Sequence, residues 1–276
     1  MKDIECVDFL QWALPRMHRR WAGFRKVRRT TCKRIERRVE TLKLPNVQAY
    51  RELLEREPRE WSALEALLPI TISSFYRDKT VCDFIGDVVL RDLAARAAQR
   101  GVATLRAWSI GCASGEEPYT VMLLWRLRVQ PSIAQTNIDL RMLATDVNAA
   151  VLERARIGCY AGGTLKQLPP GWREQAFAQT GDRYCLRPEY RVGIDFVRQD
   201  VCATLPHETF DLILCRNLVF TYFDEALQVE TLKRLLTRLR PGGGFVIGRR
   251  ETLPSDVGGL AAWAQELGVF RKLNSS

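Results

Sequence analysis

The chain has 276 residues, 46% of them hydrophobic, and a formal net charge of +10. That length holds one large domain or one and a half, with ample apolar content for a packed core. No apolar run reaches the roughly 18 residues of a membrane span, and the opening MKDIECVDFLQWALPRMHRR has acids where a leader peptide wants bases, so a cytoplasmic location is expected.

The eight cysteines are scattered without a CxxC pair. Most lie in apolar surroundings, which reads as reduced core thiols. The two histidines, His18 and His207, stand in no metal-ligand spacing, so neither a metal site nor a histidine nucleophile or base is expected. Between Arg16 and Lys43, twelve Lys/Arg residues stand against two acids, Glu36 and Glu40. Such an imbalance implies an acidic partner: nucleic acid, anionic lipid or an acidic protein surface.

In chain order, residues 4–14 suit a short helix packing Phe9, Leu10 and Trp12. From Val27 to Lys43, the residues Val27, Ile35, Val39 and Leu42 fall near a 3.6 period while arginines and Lys33 fill the other faces, predicting an amphipathic helix with a basic outer surface. Leu44-Pro45 ends it, Asn46 caps the next, and a further helix runs from Glu60 to Leu68 before Pro69. Residues 1–72 thus form a small all-α domain. The segment Ile70–Asp78 reads by composition as a linker whose Phe75 and Tyr76 pack against the next domain. A helix is predicted over 81–99.

Strand and helix then alternate through a domain over 73–276. Strands are predicted at 106–110, 138–145, 194–197, 210–215, 245–248 and 269–273, and helices at 116–129, 148–156 and 225–239. The stretch 171–195 breaks the alternation as a small hairpin or loop insertion. This pattern predicts a parallel-dominated α/β sheet with ligand contacts at the strand C-termini. The stretch LRAWSIGCASGEEPY (105–119) is a buried strand, a small-residue turn and a helix start, the cradle of such sheets. It lacks phosphate-loop spacing and carries Glu116 and Glu117, which would repel a pyrophosphate. A positively charged nucleoside fits better, and S-adenosylmethionine is the expected cofactor. Asp146, ending the second strand, suits ribose hydroxyls because Asn148 is the better helix cap and leaves it free. Asp200, ending the third, suits an adenine amino group.

The motifs SSFYRD (73–78), WSIGCASGEEPYT (108–120), ATDVNAAVLERARIGCY (144–160), FDLILCRN (210–217), YFD (222–224) and LRPGGGFVIGRRE (239–251), in this order, resemble the CheR family of chemotaxis protein-glutamate methyltransferases. The resemblance implies a class I (Rossmann-like) S-adenosylmethionine methyltransferase sheet with a helical N-terminal domain, and methylation of glutamate carboxylates on an acidic helical, chemoreceptor-like protein by a monomer. It implies that Gly111, Ala113 and Glu116 contact the cofactor's methionine and sugar end. By the same resemblance Asp146 holds the ribose, Asp200 and Val201 frame the adenine, and Arg216 and Asn217 line the site. Ser73 and Arg77 would close over the reacting end, with Arg77 and Tyr222 approaching the reacting carboxylate. Arg34, Arg37 and Arg38 are the expected substrate-docking residues. The alternatives are a methyltransferase of the same fold acting on another protein or nucleic acid, and a non-catalytic cofactor-binding regulator. Three features depart from the family pattern: Pro69-Ile70-Thr71-Ile72 before Ser73, one extra residue between Asn217 and Tyr222, and Arg249-Arg250 before Glu251. The short Gly181–Val192 stretch looks like the type that needs no receptor tether.

Overall fold

The computed structural model describes residues 1–68, 73–133 and 137–274. The chain divides into two compact units: 1–70 with Thr221–Gln228, and 71–220 with 229–276. The expected boundary between residues 72 and 73 adjoins the stretch 69–72, which lies outside the described residues.

The first unit contains α1 (Asp3–Arg16), α2 (Trp21–Phe24), α3 (Arg28–Thr41), α4 (Val47–Arg56) and α5 (Pro58–Leu67). Its core joins Phe9, Leu10, Leu14, Phe24, Ile35, Tyr50, Leu54 and Leu64. Asn46 caps α4, its side chain accepting from the Ala49 amide at 2.9 Å. The amphipathic basic helix forms as α3, burying Thr31, Ile35 and Val39. Two of its expected docking arginines also bond within the unit, and both stay partly exposed. Arg38 donates Nε and Nη2 to Glu60 at 2.9 and 2.7 Å, and Tyr50 Oη donates to the same carboxylate at 2.8 Å. The Arg38 hydrogen bond holds Glu60 below its ordinary pKa. Arg34 Nη1 donates to the Leu67 carbonyl at 2.9 Å. Arg37 stays exposed.

Residues 221–228 join this unit through backbone and side-chain bonds. Arg20 N donates to the Tyr222 carbonyl and Asp224 N to the His18 carbonyl, each at 2.9 Å, and Arg20 Nε reaches the Thr221 carbonyl at 3.0 Å. No hydrophobic period announces so short a strip, which backbone bonds and the rings of Tyr222 and Phe223 hold together.

The second unit opens with α6 (Lys79–Phe84) and α7 (Leu90–Gln99), joined by a π-helical turn over Ile85–Val89. A seven-stranded sheet follows: β1 (Thr104–Ile110), β2 (Asp139–Asp146), β6 (Ile194–Arg198), β7 (Phe210–Cys215), β8 (Leu239–Ile247), β9 (Leu260–Ala264) and β10 (Val269–Lys272), in the order β6-β2-β1-β7-β8-β10-β9. The strands from β6 to β8 pair in parallel, while β10 is antiparallel to both β8 and β9. Helices α8 (Glu116–Leu124), α9 (Ala149–Ile157) and α12 (Glu225–Arg238) link the strands. This is a Rossmann-like α/β architecture. Strand order reverses between β1 and β7, and ligands bind beyond the strand ends at such a switch point.

One strand prediction needs correction and one strand was missed. β8 starts at Leu239 rather than Phe245: Leu239 pairs with Phe210 and Gly244 with Leu212, with an irregularity in the register that passes over residues 240–243; a Cβ on Gly243 would sit 2.9 Å from the Asp211 carbonyl. β9, LAAWA, has too little alternation to be seen in sequence. In the insertion, β4 (Phe177–Thr180) and β5 (Arg183–Leu186) form a hairpin that pairs with β3 (Cys159–Ala161).

The cysteine reading is also corrected. Cys6 and Cys32 form a disulfide between α1 and α3, and Cys159 and Cys185 form one across β3 and β5. Partners 26 residues apart leave no local spacing signal. Cys82, Cys112 and Cys215 are buried thiols. The Cys6–Cys32 link is expected to contribute about 3 kcal/mol by restricting the unfolded chain. Urea unfolding of the Cys6→Ser/Cys32→Ser variant should show a lower midpoint than the oxidised parent and match the reduced parent. Equal midpoints for variant and oxidised parent would contradict this.

Candidate active site

The cradle forms where β1 ends. The Gly111 and Cys112 amides both donate to the Thr145 carbonyl at the end of β2, at 2.8 and 3.0 Å. Trp108 Nε1 donates to Thr145 Oγ1 at 3.0 Å, so the ends of β1 and β2 are tied edge to edge. The turn then needs glycine at 115. Its φ is +91°, and a Cβ there would come within 2.9 Å of the Ala155 Cβ. Tyr160 Oη donates to the Ser114 carbonyl at 2.7 Å, closing the far side.

Asp146 is less free than its place in the sequence suggests. Oδ2 accepts from the Ala113 amide at 3.0 Å and Oδ1 from the Asn148 amide at 2.9 Å. Asn148 does cap α9, accepting from Ala150 and Val151. Each carboxylate oxygen keeps a second lone pair for a further donor. Burial pushes Asp146 above its ordinary pKa, opposed by the Asn148 and Ala113 amides.

Glu116 is 5% exposed. Burial pushes its carboxyl up, opposed by its own backbone amide and a hydrogen bond with Ser73. Its Oε2 has no hydrogen-bond partner among the described residues. Ser73 and Glu116 are thus brought together, and a buried acceptor remains that calls for a donor.

The segment read as a linker is built into the sheet unit. Phe75 and Tyr76 are fully buried. The Phe75 amide donates to the Thr164 carbonyl and the Tyr76 amide to Thr120 Oγ1, each at 3.0 Å. Phe75 packs edge-on against Tyr160 and Phe177. Arg77 is exposed on this fixed segment.

Arg216 is 8% exposed; its two terminal nitrogens bond protein groups, while its buried Nε has no hydrogen-bond partner among the described residues. Nη2 donates to Asp78 Oδ2 at 2.7 Å and to the Arg77 carbonyl at 3.3 Å. Nη1 donates to Glu117 Oε2 at 3.2 Å, and Ser109 Oγ donates to Glu117 Oε1 at 2.8 Å. Burial works against the Arg216 charge, but Glu117 and Asp78 outweigh it and hold the pKa above its ordinary value. It is a strut under the Arg77 segment. Asp78 and Glu117 were missed as its partners because pairing across 138 and 99 residues leaves no sequence signal.

Asn217 follows with a left-handed φ of +57°. Asp200 is exposed after β6 and accepts from the Cys202 amide at 2.9 Å through Oδ1, while Val201 is buried. Tyr222 belongs to the helical unit. Its ring packs 4.9 Å from that of Phe24, so the ring serves the helical core. Among the described residues no cluster of three or more His, Cys, Asp or Glu could hold a metal.

Residues 71–265 match the CheR methyltransferase S-adenosylmethionine-binding domain. The chain belongs to the CheR methyltransferase family. It is 34% identical over 195 residues to a chemotaxis protein methyltransferase of Listeria innocua, covering 70% of each chain. It is 30% identical over 227 residues to that of Escherichia coli, covering 79% of this chain and 74% of the relative. It is also 34% identical over 224 residues to an uncharacterized 104.1 kDa protein of Rhodobacter capsulatus, of which it spans 23% while 81% of this chain is covered. S-adenosylmethionine is the cofactor of the CheR domain, and the residues present fit it. The orphaned Glu116 Oε2 can accept from an ammonium or hydroxyl, and Asp146 from ribose hydroxyls.

The raised carboxyls set a pH dependence. An acid whose folded pKa is raised destabilises the ligand-free protein as pH rises from its ordinary value, 4.5 for Glu116 and 3.8 for Asp146, through the raised one. S-adenosylhomocysteine, with its ammonium and ribose hydroxyls, favours the ionised forms. Its binding should therefore release protons in that window and tighten as pH rises. Calorimetry in buffers of different ionisation heat should detect the release. Proton uptake, or affinity that falls with pH, would contradict these roles.

Proposed function

We propose that this chain transfers a methyl group from S-adenosylmethionine to glutamate side-chain carboxylates on an acidic helical protein of the chemoreceptor kind in the cytoplasm, acting as a monomer. The observation that carries this reading is the pairing of a carboxylate-lined cofactor cradle with family membership. The chain has only two histidines, which fits a reaction that needs no histidine base. A glutamate is already ionised at pH 7 and needs no general base.

The bound cofactor supplies an electrophilic methyl group on a sulfonium. The chain's own work is alignment. Glu116, Asp146 and Asn217 hold the cofactor, with Ser73, the Gly111–Ala113 turn, Asp200 and Val201 around it. Arg77 orients the substrate carboxylate, since a planar guanidinium binds both oxygens. It must not bind too tightly, because ground-state binding alone gains nothing in turnover. Tyr222 is assigned to the reacting carboxylate on the family resemblance alone.

The docking assignment is revised from Arg34, Arg37 and Arg38. Arg29, Lys33 and Arg37 are all exposed on α3, and their i, i+4, i+8 spacing forms one stripe. An acidic helix is the complementary partner.

Radiolabelled methyl transfer into cell extracts should label protein, and mild base should release the label as methanol. Base-stable label, or label in nucleic acid, would contradict the reaction. Arg77→Ala should lower turnover by about tenfold to a thousandfold, the scale of a lost catalytic hydrogen-bond donor. Tyr222→Phe should lower it with folding and cofactor binding intact. Reversing Arg29, Lys33 and Arg37 to Glu should raise the KM for the labelled substrate and leave S-adenosylhomocysteine affinity unchanged. Indifference to both reversal and salt would remove α3 from docking.

A further inference from the structure

Beyond the strand ends, one carboxylate ties two turns together. Glu251 Oε2 accepts from the Asn217 amide at 2.9 Å and from the Gly248 amide at 2.6 Å. Asn217 follows β7 and Gly248 follows β8. The Glu251 amide donates to the Gly248 carbonyl at 2.8 Å, so residues 248–251 close as a tight turn with Arg249 and Arg250 at its corners. The Asn217 carboxamide lies directly over Gly248. A Cβ at 248 would come within 2.5 Å of Asn217 Nδ2 and 2.8 Å of Glu251 Oε2.

Asn217 is held at φ +57°, a conformation L residues rarely adopt and one that persists only where the surroundings over-determine it. The Glu251 carboxylate supplies that constraint. Turning Asn217 back to an ordinary φ would swing its amide away from a charged acceptor, and charge-assisted bonds of this type are the strong ones. Gly248 supplies the open floor on which the carboxamide rests.

We propose that Glu251 is a positioning residue. It clasps the turn after β8 to the turn after β7, fixes Asn217 in its left-handed conformation, and so presets the Asn217 carboxamide for the cofactor. The proposal rests on Asn217 being a cofactor contact.

The test measures S-adenosylhomocysteine affinity by calorimetry on the full chain, with melting temperature and amide exchange of ligand-free protein beside it. Glu251→Ala should weaken binding about tenfold or more, the scale of a lost hydrogen bond to a charged group. Glu251→Gln keeps one acceptor and should fall between parent and Ala; it also replaces the Ala variant should that fail to fold. Amide exchange at Asn217 should quicken in both. Gly248→Ala should weaken binding through the same contact. On an Asn217→Gly background, where a left-handed residue carries no strain, Glu251→Ala should weaken binding by a smaller factor than on the parent. A melting temperature that falls with affinity unchanged would reduce Glu251 to a structural link and overturn the proposal. An equal loss on both backgrounds would overturn it too. Unchanged affinity in Asn217→Ala would instead remove the cofactor contact on which it rests.

Discussion

The site depends on one buried cation. Arg216 stands at the end of β7, almost sealed from solvent, between Asp78 and Glu117. A buried guanidinium is tolerable only where carboxylates offset its lost hydration, and removing one partner leaves a charge stranded at a cost of about 3–5 kcal/mol. Three separate parts of the sheet unit are therefore committed to each other: the segment before α6, the first turn of α8 and the end of β7. Arg77 lies on the first of these, and its carbonyl also accepts from the Cys82 thiol. The same burial pushes that thiol up to about 12, so it stays protonated and able to donate.

Around this cation the backbone is held in conformations it would otherwise avoid. Tyr76, Asp78, Ala113 and Asn217 all have positive φ, each at a cost of order 1 kcal/mol or more for a non-glycine residue. All four lie on the segments that form the cradle. Each is fastened by a neighbouring hydrogen bond: Tyr76 by Thr120, Asp78 by Arg216, Ala113 by Asp146 and Asn217 by Glu251. A preset cradle spends no binding energy on ordering itself when the ligand arrives.

Much of this was legible in the chain. The continuous apolar run FDLILC set β7 to the residue, and GEEPY placed the start of α8. The place of Asp146 at a strand end was legible. Its two amide bonds were not, because bonds to backbone leave no trace in residue identity. Arg216 was expected to line the site, but its bonds to Asp78 and Glu117 were not legible, since these partners are distant in sequence. Phe75 and Tyr76 looked like linker residues by composition, yet edge-on aromatic packing makes them part of the core. On α3, counting charge overstated the free surface. Arg38 is matched by Glu60, a partner that periodicity cannot reveal, and the exposed stripe is narrower than the sequence implied.

In the proposed function Glu116 and Asp146 meet the cofactor while Arg216 stays between Asp78 and Glu117. A crystal structure of the chain with S-adenosylhomocysteine tests it most directly. Glu116 Oε2 and the Asp146 carboxylate should lie within hydrogen-bond distance of the ligand, with Arg216 still on Asp78 and Glu117. A ligand held by the Arg216 guanidinium, with Glu116 Oε2 still unpartnered, would contradict it.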